Sequence, residues 1–334
     1  MKPLTIGLTY DLRDDYLAQG FSLEETGEFD SSETIDAIEN TLGQLGFVTE
    51  RIGNLSHLIA ALQKKKSWDL VFNIAEGMYG FAREAQVPAL LDAYRIPYVF
   101  SDPLVLALTL DKALTKRIVR DHGIATAPFA VISKLTEIAA LDLPYPVFAK
   151  PLAEGTGKGI NAQSYIESPA LLHTTCEALL QQFHQPVLVE TFLPGREFTV
   201  GMVGTGDSAK VLGVMEICLR ANVNTKGCSF IDKENCEERI DYLPVDDAES
   251  QQAATTALAA WRALRCQDGG RIDLRSNAEG VPQFLEVNPL AGLHPTHSDL
   301  PILAQLNGYS YYDLLGKIMS AALQRLNLRE FYAT

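Results

Sequence analysis

Apolar positions along the chain recur with two different periods. Ser32 to Leu45 sets Ile35, Ile38, Leu42 and Leu45 at helical spacing and closes on Gly46. Leu4 to Leu8, Phe47 to Ile52 and Asp69 to Ile74 are short apolar runs of strand length. With a further helical pattern at Leu55 to Leu62, strand and helix alternate, which predicts a parallel sheet covered by helices. Tyr10 to Asp30 interrupts the alternation as a long, acidic, aromatic-containing loop, and loops of that length in compact domains are usually functional or mobile.

The character changes around Pro97 to Asp102. A helix is expected over Leu110 to His122, stopped by Gly123, then strands at Phe129 to Ile132 and Val147 to Pro151. A helix over Ser168 to Phe183 follows, with Ser168 as N-cap and Pro169 at its first position. From Val187 onward come strand runs at Val187 to Phe192, Glu197 to Val203 and Lys210 to Cys218, a helix at Asp247 to Leu264, and a hairpin. The expected domains are therefore an α/β unit over 1–103, a small α+β unit over 104–186 and a larger mixed unit over 187–334. No internal repeat or low-complexity tract competes with this reading.

Composition narrows the function. The 334 residues are 47% apolar, enough for more than one core. A net charge of −14, from 42 acidic and 28 basic residues, disfavours a phosphate-backbone grip, so no nucleic acid partner is expected. The five cysteines form no C-x-x-C pair and are odd in number, which fits a reducing compartment. No run reaches the roughly 18 apolar residues of a membrane span and the start lacks a leader, so no membrane association and a cytoplasmic location are expected.

The most informative segment is Gly270 to Leu274 followed by Phe284 to Pro289. Alternate side chains of a strand share a face, so Arg271 goes with Asp273, and Glu286 with Asn288. The turn-forming residues of Arg275 to Pro282 then bring all four onto one face of an antiparallel hairpin. Two carboxylates and an amide suit a hard cation such as Mg²⁺, with a polyphosphate nucleotide as its partner. A polar surface with Arg271 paired to the acids is the competing reading.

Other segments are weaker alone. Glu154 to Gly159 has three glycines in five residues, which would let backbone N–H groups approach an anion, but it is neither a P-loop nor a dinucleotide fingerprint, and taken alone it reads better as a plain hairpin turn. Lys150, ending an apolar strand before this loop, and Lys112, near a helix start, are candidate phosphate ligands or solvated lysines. Glu190, at the end of a buried-type strand, and Glu197 could accept hydrogen bonds from a base and a ribose, or serve as a cap and a surface ion pair.

In this order the segments resemble the ATP-grasp superfamily, and more closely its D-alanine–D-alanine ligase-like branch. The resemblance runs from about Asn73 to the C-terminus through Leu108 to Lys112, Phe148 to Pro151, Glu154 to Gly159, Glu190 to Val200, Gly270 to Leu274 and Phe284 to Gly292. It implies an ATP-grasp fold, with an N-terminal α/β domain and two α+β units that clamp ATP. It further implies that Lys112 and Lys150 touch the phosphates while Glu154, Gly155, Thr156 and Gly157 close over them. Glu190, Leu193 and Glu197 would hold adenine and ribose, and Asp273, Glu286 and Asn288 would bind two Mg²⁺ ions, with Mn²⁺ as a substitute. Arg271 and the Gly292 N–H would stabilise an oxyanion, and Ser298, beside Asp299, would meet the second substrate's carboxylate.

The departures from the branch gather on the acceptor side. Its flap lysine matches Lys233, with Asn224 to Lys226 as the rival alignment. Its H-G-x-x-G-E-D-G stretch is here Asn73 to Gly80, without the histidine and with Glu76 nearby. The segment Asn288 to Ser298 is one residue longer and adds His294, which with His297 could bind substrate, shuttle protons or make ordinary loop hydrogen bonds. The Tyr10 to Asp30 loop could cover the amino-acid pocket, turning Asp11, Arg13 and Asp14 toward substrate, or be solvated.

The expected activity is an ADP-forming carboxylate–amine ligase acting through an acyl phosphate on small amino acids other than two D-alanines. An ATP-grasp kinase acting on a small-molecule hydroxyl is the alternative. Small-molecule substrates are the expected partners, and the branch's habit makes a homodimer the expected assembly.

Overall fold

The computed structural model describes residues 3–223 and 226–328. The N-terminal sheet has the order β2-β1-β3-β4, from β1 (Thr5–Tyr10), β2 (Val48–Gly53), β3 (Leu70–Ile74) and β4 (Tyr98–Val99), all parallel. Both faces of β3 are buried because the side chains alternate between two cores. Leu70, Phe72 and Ile74 join one with α2 (Ser32–Gln44), and Val71 joins the other with α3 (Leu55–Gln63) and α4 (Gln86–Tyr94). The segment from Tyr10 to Asp30 contains α1 (Arg13–Leu17), which the loop expectation missed. Its tether is aromatic: Tyr16 packs on Phe21 and Phe29, and Leu12 bridges to Asp30.

The helix expected from Leu110 is two helices, α5 (Pro103–Leu110) and α6 (Lys112–Asp121). Asp111 separates them with an extended backbone while its carboxylate caps α6 at the Leu114 N–H, so an apparent helix-interior acid is an N-cap. The next sheet has the order β5-β8-β6-β7, from β5 (Phe129–Ile132), β6 (Val147–Pro151), β7 (Tyr165–Ile166) and β8 (Val187–Thr191). Helix α7 (Pro169–Phe183) covers one face through Leu172, Cys176 and Leu179. Ser168 stands at its N-cap without a side-chain cap bond. Strand β8, expected to open the last unit, pairs instead with β5 and β6 in this central sheet. The reason is long-range: its apolar run fills the slot between two sequence-distant strands, which no local pattern reveals.

The last sheet has the order β11-β10-β9-β12-β13 and is antiparallel. It comprises β9 (Glu197–Val203), β10 (Lys210–Leu219), β11 (Ile240–Pro244), β12 (Gly269–Ser276) and β13 (Pro282–Asn288). Between β10 and β11 lie the short helices α8 (Phe230–Glu234) and α9 (Cys236–Arg239). Helix α10 (Ala248–Ala263), capped by Asp247, presents Ala253, Ala257, Ala260 and Trp261 to Phe198, Val200, Ile272 and Leu274. The other face receives α11 (Asp299–Leu306), where Gly201 admits Leu303: a Cβ there would stand 2.7 Å from the leucine side chain. Helix α12 (Tyr311–Arg325) returns to the N-terminal sheet and puts Leu314, Leu315 and Ile318 into its core. No helix among the described residues is long and apolar enough to cross a membrane.

Candidate active site

The site begins with strand parity. On β12, Ile272 and Leu274 face α10, so Arg271, Asp273 and Arg275 occupy the opposite face, in register with Gly201, Thr199 and Glu197 of β9. On β13, Asp273 pairs with Glu286 and Arg271 pairs with Asn288. Thr199 Oγ1 donates to Asp273 at 2.8 Å, Asn288 Nδ2 donates to it at 3.2 Å, and Arg271 forms a short ion pair with it.

The central sheet contributes the facing wall by the same rule. Val147, Ala149, Val187 and Val189 point to α7, which leaves Phe148, Lys150 and Glu190 on the cleft side. Glu190 is gripped by Lys150 at 3.0 Å and by Lys116, one turn along α6 from Lys112, at 2.8 Å. Burial pushes Glu190 upward, but the two ammonium groups outweigh it and hold it at about 2. Lys116 is itself lowered by burial against the pull of Glu190. Lys112 donates to the Glu154 carbonyl at 2.5 Å and lies 3.5 Å from Glu286.

Between the walls is a cleft that encloses, with its solvent-open mouth, about 990 Å³ of empty space. One end is apolar and aromatic: Phe148, Ile160, Leu193 and Leu285 line it, Phe148 and Phe192 stack with centroids 6.5 Å apart, and Arg275 lies over Phe192 at 5.1 Å. Glu197 stands at this end, 3.3 Å from Arg275. The other end holds the lysines and the carboxylates of the hairpin.

The hairpin carboxylates fit a hard cation by their chemistry. Burial would raise Glu286, but Lys112, Lys150 and Arg271 outweigh it and hold it well below the usual carboxylate range. Asp273 is raised by burial, with Glu286 adding to the effect of desolvation. Two facing carboxylates with an amide oxygen beside them are hard oxygen donors of the kind Mg²⁺ takes. With the Asn288 nitrogen turned to Asp273, its oxygen is the remaining donor. Among the described residues no group of three or more His, Cys, Asp and Glu forms a further candidate metal site.

Three segments close over the cleft. In the glycine-rich loop, Thr156, Gly157 and Gly159 have φ of 48°, 73° and 73°. Gly157 lies directly under the segment before α8, where a Cβ would come within 2.6 Å of the Cys228 carbonyl, and its own carbonyl accepts the Phe230 N–H at 3.0 Å. Gly155 N–H donates to Glu28 at 2.7 Å, so the N-terminal loop is tied to the same place. Arg13 of α1 bridges to Glu234 of α8 at 3.2 Å and to the carbonyls of Thr26 and Gly27. Asp11 is buried and committed to the Gly77 N–H and the Tyr16 hydroxyl, and Asp14 is exposed, so of those three charges Arg13 alone reaches the cavity.

A second cavity adjoins the first, sharing Lys112, Glu154, Gly155, Lys233, Tyr242, Arg271, Glu286 and Asp299 with it. Glu76, Gly292, His294, His297 and Ser298 all line it, as does Asn288. Ser298 Oγ accepts the His294 N–H at 3.0 Å, and a Cβ on Gly292 would stand 2.8 Å from that same oxygen. His297 contacts Cys236 at 3.5 Å, and His294 lies 3.5 Å from Glu33. Lys233 is bound to Asp299 at 3.3 Å, which Arg271 approaches at 3.6 Å and Tyr242 at 3.3 Å. Of the rival alignment, Asn224 and Thr225 lie outside the described residues, while the Lys226 carbonyl accepts from Arg275.

Sequence reasoning missed Lys116, Lys158, Glu28 and Arg83. Lys158 is buried between Glu28 at 3.3 Å and Glu154 at 3.4 Å, and Arg83 is buried 3.0 Å from Glu28. Lys116 was findable, since it follows Lys112 by one helical turn. Glu28 and Arg83 meet across 55 residues of chain, and no local spacing announces the pair.

The family model described as D-ala D-ala ligase C-terminus matches residues 118–320. An uncharacterized protein of Sinorhizobium fredii is 33% identical over 77% of this chain and 75% of its own. A D-alanine–D-alanine ligase of Cupriavidus taiwanensis is 32% identical over 79% of each. The crystal structure of a D-alanine–D-alanine ligase from Bacillus anthracis complexed with ATP superposes with a TM-score of 0.71 at 22% identity, covering 98% of this chain and 99% of that one. Between the activities left open by the residues, these likenesses favour amide ligation over phosphoryl transfer to a hydroxyl.

Proposed function

Since the chain belongs to the D-alanine–D-alanine ligase family of ATP-dependent, ADP-forming amide-bond ligases, we propose that it joins an amino acid carboxylate to the amine of a second small molecule at the junction of its two cavities. The observation that carries this reading is the meeting of the Arg271, Asp273, Glu286 and Asn288 face with Lys112 and Lys150 across one cleft. ATP lies between the central and last sheets, with adenine at the end formed by Phe148, Phe192 and Leu193. Glu197 meets the ribose. Because the Glu190 carboxylate is committed to two lysines, its share in base recognition falls to the backbone beside it.

Lys112 and Lys150 hold phosphate oxygens as point charges, and the loop from Glu154 to Gly157 closes over them with Lys158 anchored beneath. Asp273, Glu286 and Asn288 would hold Mg²⁺, two ions on this reading, which would supply charge neutralisation at the phosphates. The donor carboxylate attacks the γ-phosphate, the bond to the β-phosphate oxygen breaks and ADP leaves, and the acyl phosphate formed exchanges a poor leaving group for a good one. The free amine then adds to the acyl carbon, and the tetrahedral adduct expels inorganic phosphate as the nitrogen gives up its proton, leaving the amide. Arg271 and the Gly292 N–H face the oxyanion of that step, and Lys233, steered by Asp299, faces the transferred phosphate. Ser298, His294 and His297 line the substrate side.

The test is to incubate the protein with ATP, Mg²⁺ and pairs of D- and L-amino acids and amines, following ADP, free phosphate and the mass of the product. A ligase releases ADP and phosphate in step with an amide. A product that retains the phosphate overturns the reading in favour of a kinase.

A further inference from the structure

Lys116 is fully buried and borders neither cavity. Its ammonium nitrogen lies 2.8 Å from Glu190 Oε2, 2.9 Å from Thr126 Oγ1 and 3.2 Å from the Phe284 carbonyl oxygen. The Thr126 hydroxyl gives its own proton to that same carbonyl at 2.7 Å. All three oxygens are therefore acceptors, and a neutral amine would turn its lone pair against one of them. Burial opposes the charge, but the cage of oxygens requires it. Lys116 is held as an ammonium with an acceptor for each of its three hydrogens, so it does not itself reach a ligand.

What it can do runs through Glu190. That carboxylate turns Oε2 to Lys116 and Oε1 to Lys150, at 3.0 Å, and of the two lysines Lys150 is the one that borders the nucleotide cleft. Two ammonium groups against one carboxylate leave a surplus of positive charge. The surplus faces the cleft through Lys150. With Glu190 and Lys150 alone the pair would be neutral, and the acid would offset the attraction of that lysine for a phosphate. All three groups are buried, so salt screens their mutual effect little.

We infer that Lys116 is a positioning residue for nucleotide binding: by occupying one oxygen of Glu190, it leaves Lys150 as a net cation presented to the phosphates. The inference rests on the ligase reading, which sets the phosphates against Lys150, and adds a residue that touches no ligand. A purely mechanical role is its rival, because Lys116 also ties β8 to Phe284 of β13, two residues before Glu286. The two roles differ in what they disturb. Loss of a tie between the walls loosens base and phosphates together, whereas loss of a charge acts on the phosphates alone.

The test uses the full-length protein at one fixed Mg²⁺ concentration, with calorimetry reading Kd for ADP and for adenosine. Lys116→Gln keeps a hydrogen-bond donor and loses the charge. Lys116→Gln combined with Glu190→Gln loses both partners and leaves Lys150 as a cation without its acid. The single variant is expected to weaken ADP by about tenfold or more while adenosine binds as before, and the double variant to bring ADP affinity back toward that of the unaltered protein. Equal weakening of both ligands, an unchanged affinity for ADP, or no recovery in the double variant overturns the inference. If the single variant fails to fold, the double variant decides, since it buries no unmatched carboxylate: a preference for ADP over adenosine close to that of the unaltered protein supports the inference, and loss of that preference overturns it. Unaltered protein that binds ADP no more tightly than adenosine removes the nucleotide reading of the cleft itself, a failure distinct from that of the inference.

Discussion

Asp273 of β12 stands directly opposite Glu286 of β13, and the two carboxylates are electrostatically unlike, Glu286 held low and Asp273 raised. A divalent cation held between them would be bound by an oxygen from each strand. Asp273→Asn and Glu286→Gln are therefore expected to cut kcat by about a hundredfold or more, the scale set by losing several kcal/mol of charge stabilisation. Phosphate release titrated against Mg²⁺ reads this, and unchanged turnover in either variant would show that the pair holds no catalytic ion.

Glu190 lies between Lys116 and Lys150, all three buried. Glu190→Gln leaves two ammonium groups facing each other without their acid, and is expected to cost about 3–5 kcal/mol of stability, as breaking a buried pair does. Chemical denaturation measures it. The same group makes a pH prediction. Its folded value of about 2 lies below its ordinary 4.5, so its stabilising contribution is whole above about pH 4.5 and is lost as pH falls toward 2.

Arg271 reaches Asp273 and Asp299 at once, a span that suits a planar fork and not a point charge. Arg271→Lys is expected to lower kcat by roughly 10²–10³, the cost of one lost oxyanion donor, with little change in the KM for ATP. Steady-state kinetics at saturating Mg²⁺ separates the two parameters.

Gly157 underlies the segment that carries Lys233, with φ of 73° and the Cys228 carbonyl within 2.6 Å of any added Cβ. Gly157→Ala cannot seat that segment without shifting backbone. The expected result is a raised KM for ATP and more ATP hydrolysed per amide formed, since the lid that excludes water no longer closes. The ratio of phosphate to product measures it.

Asp30 and Glu84 titrate at about 7, far above the ordinary values of 3.8 and 4.5, because burial and neighbouring acids oppose their charge. Groups raised in this way favour the fold most when protonated. The protein is therefore expected to lose stability from these two groups as pH rises from about 4 through 7. Arg13 near Asp30 and Lys112 and Arg83 near Glu84 moderate the slope, while Asp11 and Glu28 steepen it. Melting temperatures across that window, compared with those of Asp30→Asn and Glu84→Gln, give the sign.

Much of this architecture was legible before any coordinates. The hairpin face followed from the two-residue period of a strand, and the structure places Arg271, Asp273, Glu286 and Asn288 as parity requires. What local pattern could not supply was pairing across distance. Strand β8 belongs to the central sheet because β5 and β6 leave it a slot, and Glu190 is enclosed because α6 brings Lys116 to it from 74 residues earlier. The acids of the substrate side come from the N-terminal loop and the segment after β3, so their convergence is a property of the fold alone.

The central claim is that this site activates a carboxylate as an acyl phosphate before amide formation, and isotope transfer tests it most directly. The donor of the most active substrate pair is prepared with oxygen-18 in its carboxylate, and the inorganic phosphate released is examined by mass spectrometry. One labelled oxygen carried into phosphate for each amide formed is the predicted result. Phosphate free of label, with amide nevertheless produced, would contradict the account.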